Sequence, residues 1–122
     1  MKLPRRITAV AWLLISSSAV AANMLPLKQG IYVPVGRPCR GASNAEIVNY
    51  WGGKSAIGVA QAQCTIKHLT RRGHVFTLTD ECRDIGSNDL IEGGPTVVTI
   101  SSASGFRMNN TSYRYCGTKM QF

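Results

Sequence analysis

The sequence predicts an all-β protein, a small antiparallel β-barrel or sandwich of about six to eight strands held by two disulfides. Three observations lead to this prediction. Glycine, proline and asparagine recur at short intervals along the chain, and no amphipathic helical stretch of useful length separates them. The chain has four cysteines. After an N-terminal leader only about 100 residues are left, which is enough for one small domain.

Residues 1–21 have the organisation of a secretory signal. Its parts are a basic start at Lys2, Arg5 and Arg6, an apolar stretch over residues 7–15, and the small-residue cleavage site Ala19-Val20-Ala21. The apolar stretch is far shorter than the roughly 20 residues that span a bilayer, so we expect no membrane anchor after cleavage. We expect residues 22–122 to form a single all-β domain that is soluble and exported to the periplasm.

The net charge of the mature chain limits the classes of partner that we expect. The full chain carries 14 Lys and Arg against 6 Asp and Glu, and the leader takes three of the basic residues with it, which leaves a net charge of +5. This modest basicity permits an anionic partner such as cell wall, and it gives no reason to expect nucleic acid in this compartment.

The predicted strands lie at residues 30–35, 46–51, 57–69, 75–82, 96–101 and 112–116. The third and fourth of these form a hairpin if the turn is centred on Gly73, nine residues from both Cys64 and Cys82. That register places the two cysteines directly opposite each other. It favours a Cys64–Cys82 disulfide and leaves Cys39 to pair with Cys116, although four cysteines allow three connectivities and the sequence alone leaves the choice open.

The same register sorts the side chains of the hairpin onto two faces. Three apolar residues share the cysteine face, and the other face pairs Thr65 with Glu81 and Lys67 with Thr79; the apolar three are Ile66, Phe76 and Leu78. His68 and Asp80 break the pattern, because both fall on the inner face.

A second hairpin is predicted near the C-terminus. Asn109-Asn110 suits a tight turn, since asparagine tolerates positive φ. Centring the hairpin there pairs Phe106 with Tyr113 and Ser104 with Tyr115.

The chain shows little sign of catalytic chemistry. The two histidines flank one turn, and no serine has the G-x-S-x-G context of a hydrolase nucleophile. Glu81, Asp84 and Asp89 fall in a polar turn region and are interpreted as solvated charges rather than as a glycosidase pair. No two cysteines have the close spacing of a zinc site. We therefore expect no enzyme activity, no catalytic residue, no metal and no cofactor.

The segment Ser102-Ala103-Ser104-Gly105-Phe106-Arg107, followed by Tyr113-Arg114-Tyr115 and then Lys119, resembles the signature region of the bacterial inhibitors of c-type lysozyme, in their membrane-bound and periplasmic forms. Those proteins are small, exported antiparallel barrels with disulfides. This chain has Met108 where the family motif has tyrosine, and Lys119 lies one residue late.

The resemblance implies a periplasmic inhibitor whose partner is a c-type lysozyme. By position, Ser104 supplies a hydroxyl and Lys119 an ammonium to the two carboxyl groups of the lysozyme cleft, while Arg107, Tyr113 and Phe106 shape the loop. The alternative is a non-enzymatic exported module that binds peptidoglycan or another anionic envelope polymer. Its basic residues would be Arg37, Arg40, Arg71 and Arg72.

Overall fold

A computed structural model describes residues 23–59, 62–91 and 95–119. The predicted leader, residues 1–21, lies outside these ranges. Within them the regular structure is all β, as predicted, and no helix is long and apolar enough to cross a membrane. The chain forms an antiparallel, nearly closed barrel of eight strands with a short additional strand beside it.

The strands of the described part are β1 (Gly30–Pro34), β2 (Val48–Tyr50), β3 (Gly58–Val59), β4 (Ala62–Arg72), β5 (Val75–Asp84), β6 (Leu90–Ile91), β7 (Thr96–Ser102), β8 (Gly105–Met108) and β9 (Thr111–Gly117). Their order around the barrel is β3-β2-β1-β9-β8-β7-β5-β4, and β6 pairs with β5 off this path. The segment before β3 contacts β4, the strand at the other end of this order: Ser55 bridges Thr65, and the Ile66 amide donates to the Lys54 carbonyl at 2.7 Å.

The β4–β5 hairpin confirms that the two cysteines lie opposite each other, but its turn differs from the predicted one. Cys64 lies opposite Cys82 and the two form a disulfide. The turn has two central residues, Gly73 and His74, rather than being centred on Gly73, and Gly73 has a φ of 61°. Glycine at the first of two central positions is typical of the hairpin turn that matches strand twist. This turn shifts the register by one residue.

A bulge at Lys67 restores the register. The pairing passes from Ile66 with Asp80 to His68 with Thr79, so Lys67 has no partner of its own and the predicted pair of Lys67 with Thr79 is wrong. Because one extra residue reverses the alternation of side chains, His68 turns outward and is exposed. The bulge therefore removes one of the two exceptions in the predicted pattern, and Asp80 remains the other.

The second hairpin confirms its predicted turn. Met108 pairs with Thr111, and the two central residues Asn109 and Asn110 have φ values of 53° and 64°. Both values lie in the left-handed region that this turn requires. Phe106 pairs with Tyr113 as predicted.

The strand bounds differ from the predicted ones in several places. β2 is shorter than the predicted strand over residues 46–51, β4 extends to Arg72, and β8 was expected only as one arm of the second hairpin. The strand expected over residues 57–69 is divided into β3 and β4, with residues 60 and 61 outside the described ranges. β6 was not predicted, because two residues give no periodicity to detect.

The barrel interior holds the main core, in which Tyr32, Tyr50, Leu78, Val98 and Phe106 are almost fully buried. Leu25 and Leu27, from the segment before β1, also belong to this core. The Leu25 amide donates to the Tyr50 hydroxyl oxygen at 3.2 Å, and that hydroxyl donates to the Leu25 carbonyl at 3.2 Å. This segment therefore packs into one end of the barrel and is fixed there.

A second apolar cluster lies outside the barrel wall. Ile31, Val33 and Ile47 are buried there beneath the loop between β1 and β2. A Cys39–Cys116 disulfide joins that loop to β9, which confirms the second predicted pairing. Two disulfides in a domain of this size indicate an oxidising, exported location.

Candidate functional site

The turn between β7 and β8 carries Ser104 and is held by short local hydrogen bonds. The Ser101 hydroxyl donates to the Gly105 carbonyl at 3.0 Å, and the Ser104 amide donates to the Ser102 hydroxyl at 3.1 Å. We call residues 101–105 the serine loop and the end of the barrel where they lie the serine-loop end. Serine at these positions uses its side chain to satisfy backbone groups that a tight turn leaves unpaired.

Three contacts from other elements fix the backbone of the serine loop. The Lys28 amide donates to the Ala103 carbonyl at 2.8 Å, and the Tyr115 amide donates to the Ser104 carbonyl at 3.0 Å. The Tyr32 hydroxyl lies 3.3 Å from the Ala103 carbonyl. These contacts use backbone atoms of the loop. In the described part of the chain no group hydrogen-bonds to the Ser104 hydroxyl, and the residue is half-exposed.

Two lysines lie at this end. Lys119 is exposed and follows β9, whose last residue pairs with Ile31 near the start of β1. The Lys28 ammonium lies 5.4 Å from the centre of the Tyr115 ring. Since Lys119 is four residues after Tyr115, an extended chain keeps its Cα within about 14 Å of that residue. The structure thus brings Ser104 and Lys119 to the same end and adds Lys28 to them.

The other three predicted site residues take different positions. Phe106 is buried in the barrel and stacks with half-buried Tyr113, with ring centres 5.1 Å apart. These two rings pack against the core, and only Tyr113 keeps part of its surface exposed. Arg107 lies on the outer face of β8, where its guanidinium is 3.4 Å from the Ser112 hydroxyl. It does not join Ser104 and Lys119.

Lys28 and Tyr32 were not singled out by the sequence. The Tyr32 hydroxyl donates to the Lys28 carbonyl at 2.6 Å, and burial raises the pKa of this phenol to about 12. Tyr32 therefore stays protonated at any physiological pH and keeps its donor. Neither residue lies in a motif, and only the pairing of β1 with β9 brings them to the loop.

The opposite end of the barrel is open, and we call it the mouth. It holds a cavity of about 450 Å³ that is lined by the β8–β9 turn at Asn109, by Met108, and by the Cys64–Cys82 disulfide. Asp80 lines it as well. Burial raises the pKa of the Asp80 carboxyl above its usual value.

The mouth also holds one group of potential metal ligands among the described residues. An oxygen of Asp80 and the sulfurs of Cys64 and Cys82 lie within 4.8 Å of one another. Because the two sulfurs are joined in a disulfide, they supply no thiolate, and the group offers a metal a single charged ligand.

The fold and these two ends define a class: a small, disulfide-linked antiparallel β-barrel with one basic end and one open, acidic mouth. Comparisons with protein families, with curated proteins and with solved structures give no match for this chain.

Proposed function

We propose that the protein is a non-enzymatic periplasmic inhibitor that inserts its serine loop into the active-site cleft of a c-type lysozyme. The observation that supports this most is the arrangement of the serine-loop end. A backbone-anchored turn carries half-exposed Ser104, whose hydroxyl has no hydrogen-bond partner in the described structure, and exposed Lys119 lies at the same end.

The chemistry of the cleft suits these groups. Lysozyme uses one protonated and one ionised carboxyl group. A serine hydroxyl both donates and accepts, so Ser104 can hydrogen-bond to either carboxyl group. An ammonium forms a short charge-assisted hydrogen bond with the ionised one, and this is the role of Lys119.

The rigidity of the loop favours binding. Its carbonyls accept hydrogen bonds from the Lys28 and Tyr115 amides and contact the Tyr32 hydroxyl, so little backbone freedom is left to lose on insertion. Preorganisation of this kind raises affinity because ordering costs are met during folding.

Net charge works against the encounter. C-type lysozymes are basic and the mature chain carries +5, so long-range repulsion slows association. Added salt screens that repulsion. For inhibition we therefore expect an association rate that rises with moderate salt.

The second candidate is a module that binds peptidoglycan or another anionic envelope polymer. One observation favours it: within the described ranges Arg40, Arg71 and Arg72 form no ion pair, whereas Arg37 pairs with Glu46 at 2.7 Å. Exposed, unpaired guanidinium groups bind polyanions, and added salt weakens such binding. The two candidates therefore respond to salt in opposite directions.

A lysis assay tests the proposal. Purified, oxidised mature protein is titrated against a c-type lysozyme acting on a cell-wall suspension, and we expect the rate to fall in proportion to inhibitor. Lys119→Ala removes one partner of a charge pair and weakens inhibition by about 2–5 kcal/mol, while Ser104→Ala costs about 1–3 kcal/mol.

Lys67→Ala is the matched control, because Lys67 lies in the β4 bulge on the outer wall and makes only an exposed ion pair with Glu81 at 4.0 Å. It leaves inhibition unchanged. No slowing of lysis at tenfold molar excess of folded protein excludes the inhibitor proposal, and binding of isolated peptidoglycan in low salt then selects the second candidate.

A further inference from the structure

The mouth of the barrel contains an inward-facing acid, Asp80, that forms no ion pair with any described residue. Asp80 lies on β5 between Leu78 and Cys82. Because side chains of a strand alternate between the two faces, all three point inward, and an apolar side chain is expected at this position. Its neighbour Glu81 points outward and forms ion pairs with Lys67 and Arg83. No cationic side chain in the described ranges pairs with Asp80.

This placement has a free-energy cost. Burial disfavours the charged form of a carboxyl group, and the raised pKa of Asp80 reflects that cost. A chain with 11 basic residues after its leader has many ways to neutralise one acid, but the described structure places none of them here. Positions that break a local folding rule without compensation are often functional.

The surroundings of Asp80 are apolar and accessible. The cavity of about 450 Å³ is within the size range of small-molecule sites. Its walls include Ile57, Leu78 and Met108, and two exposed apolar side chains, Val59 and Ile91, lie at its rim with 53% and 43% of their surface in solvent.

We propose that the mouth binds a small organic ammonium ion, whose apolar body fills the cavity while its charged nitrogen pairs with the Asp80 carboxylate. The residues that line the cavity favour an organic ammonium over a metal ion or an anion. A hydrated metal ion requires several oxygen ligands, and among the described residues that line the cavity Asp80 is the only charged one. An anion would be repelled by Asp80. An ammonium with an apolar body satisfies both the carboxylate and the walls.

The proposed site is separate from the serine loop. Asn109 at the mouth and Ser104 in the serine loop lie at opposite ends of β8. The inference therefore does not depend on lysozyme inhibition, and the two can fail independently.

An NMR titration of isotope-labelled, oxidised mature protein tests the site with three probes of similar size. They are 2-phenylethylammonium, the neutral 2-phenylethanol and the anionic 3-phenylpropionate. We expect the cation to bind with shifts in the amides of Asp80, Met108 and Asn109 and none in those of Ser104 and Tyr115. The other two probes should bind about tenfold more weakly or worse, because they lack the ion pair.

Variants assign the effect to Asp80. Asp80→Asn keeps the shape of the side chain and removes its charge, so it should weaken binding of the cation by about tenfold. Asp89→Asn, in the exposed turn before β6, is the matched control and should change nothing. Ile91→Lys, at the solvent-exposed rim, places a competing ammonium in the mouth and should also weaken binding.

Several results would overturn the proposal. They are equal affinity for the alcohol and the amine, full affinity in a folded Asp80→Asn variant, or no shift at the mouth with any probe at millimolar concentration. The lysis assay, run on Asp80→Asn, should give the wild-type result, since the mouth lies away from the serine loop.

Discussion

The Tyr32 hydroxyl lies 3.3 Å from the carbonyl oxygen of Ala103, the residue before Ser104, while it donates to Lys28 at 2.6 Å. A core side chain of β1 thus contacts the backbone of the serine loop with its hydroxyl group. Its ring also packs edge-on against Phe106 and Tyr115, with ring centres 5.0 and 5.2 Å away. Tyr32 therefore couples the stability of the core to the geometry of the loop.

Tyr32→Phe tests this coupling. The variant keeps the ring and loses the hydroxyl, which leaves the Lys28 carbonyl without this donor and removes the 3.3 Å contact with the Ala103 carbonyl. We expect a loss of about 0.5–1.5 kcal/mol in the free energy of unfolding, measured by urea denaturation, and weaker inhibition of lysozyme. Phe106→Leu is the comparison, since it changes the packing and leaves the hydroxyl in place. Full inhibition by a Tyr32→Phe protein would show that the hydroxyl does not position the loop.

Alkaline titration provides an independent measure of the same phenol. Burial raises the pKa of Tyr32 to about 12 from an unfolded value of 10.0, so the unfolded state loses this proton first as pH rises. The stability that depends on the protonated phenol is fully present below pH 10.0 and is lost as pH approaches 12. The pKa of Tyr50 is raised by burial as well, so part of the slope persists in Tyr32→Phe. A spectrophotometric titration of wild type and variant should show one fewer late-titrating phenol in the variant.

The Asn109-Asn110 turn gives a prediction about stability alone. Both residues have left-handed φ, which costs an ordinary side chain roughly 1–2 kcal/mol. Asn109→Ala should therefore lower the free energy of unfolding by about that amount, whereas Asn110→Gly should be neutral or stabilising. Thermal unfolding followed by circular dichroism measures both. Equal melting temperatures for the two variants would contradict the turn geometry.

The two disulfides should contribute unequally. Cys39–Cys116 joins residues 77 apart in sequence and Cys64–Cys82 joins residues 18 apart. In the chain-entropy account the longer loop is worth about 4.5 kcal/mol and the shorter about 3 kcal/mol. Replacing each pair by alanine and measuring urea unfolding tests the order. A larger loss from the Cys64–Cys82 pair would mean that strain or residual structure outweighs loop entropy.

The sequence predicted the two hairpins and the disulfide pairing because residues within each hairpin determine how its strands pair. Opposed cysteines and an Asn-Asn turn are local signals, and both were confirmed. The bulge at Lys67 could not be predicted, because it compensates for a turn that is one residue shorter than the symmetric one, and the cysteine pairing is the same in either case. His68 was the one sign of a bulge in the sequence, since without the bulge this polar residue falls on the inner face of the hairpin.

The candidate site was predictable only in part. Ser104 and Lys119 share an end because β8 and β9 form a hairpin, which the sequence indicated. Phe106 and Tyr113 were also paired correctly, but pairing placed their rings inside the barrel. The contribution of Lys28 depends on β1 lying beside β9, a long-range pairing that no local pattern encodes.

Asp80 gives the last prediction. Its pKa is raised in the folded state, so the stability linked to its protonated form is fully present below the unfolded pKa of 3.8 and is lost as pH rises through the folded value. Asp80→Asn is neutral at every pH, so it should match the wild type at about pH 3 and be more stable at pH 7. The measurement is urea unfolding of both proteins at the two pH values, with Asp89→Asn as the control for loss of an exposed acid. If Asp80→Asn were less stable than the wild type at pH 7, the carboxylate would have a stabilising partner in the protein without ligand. That result would contradict a mouth whose acid is free to pair with a bound cation.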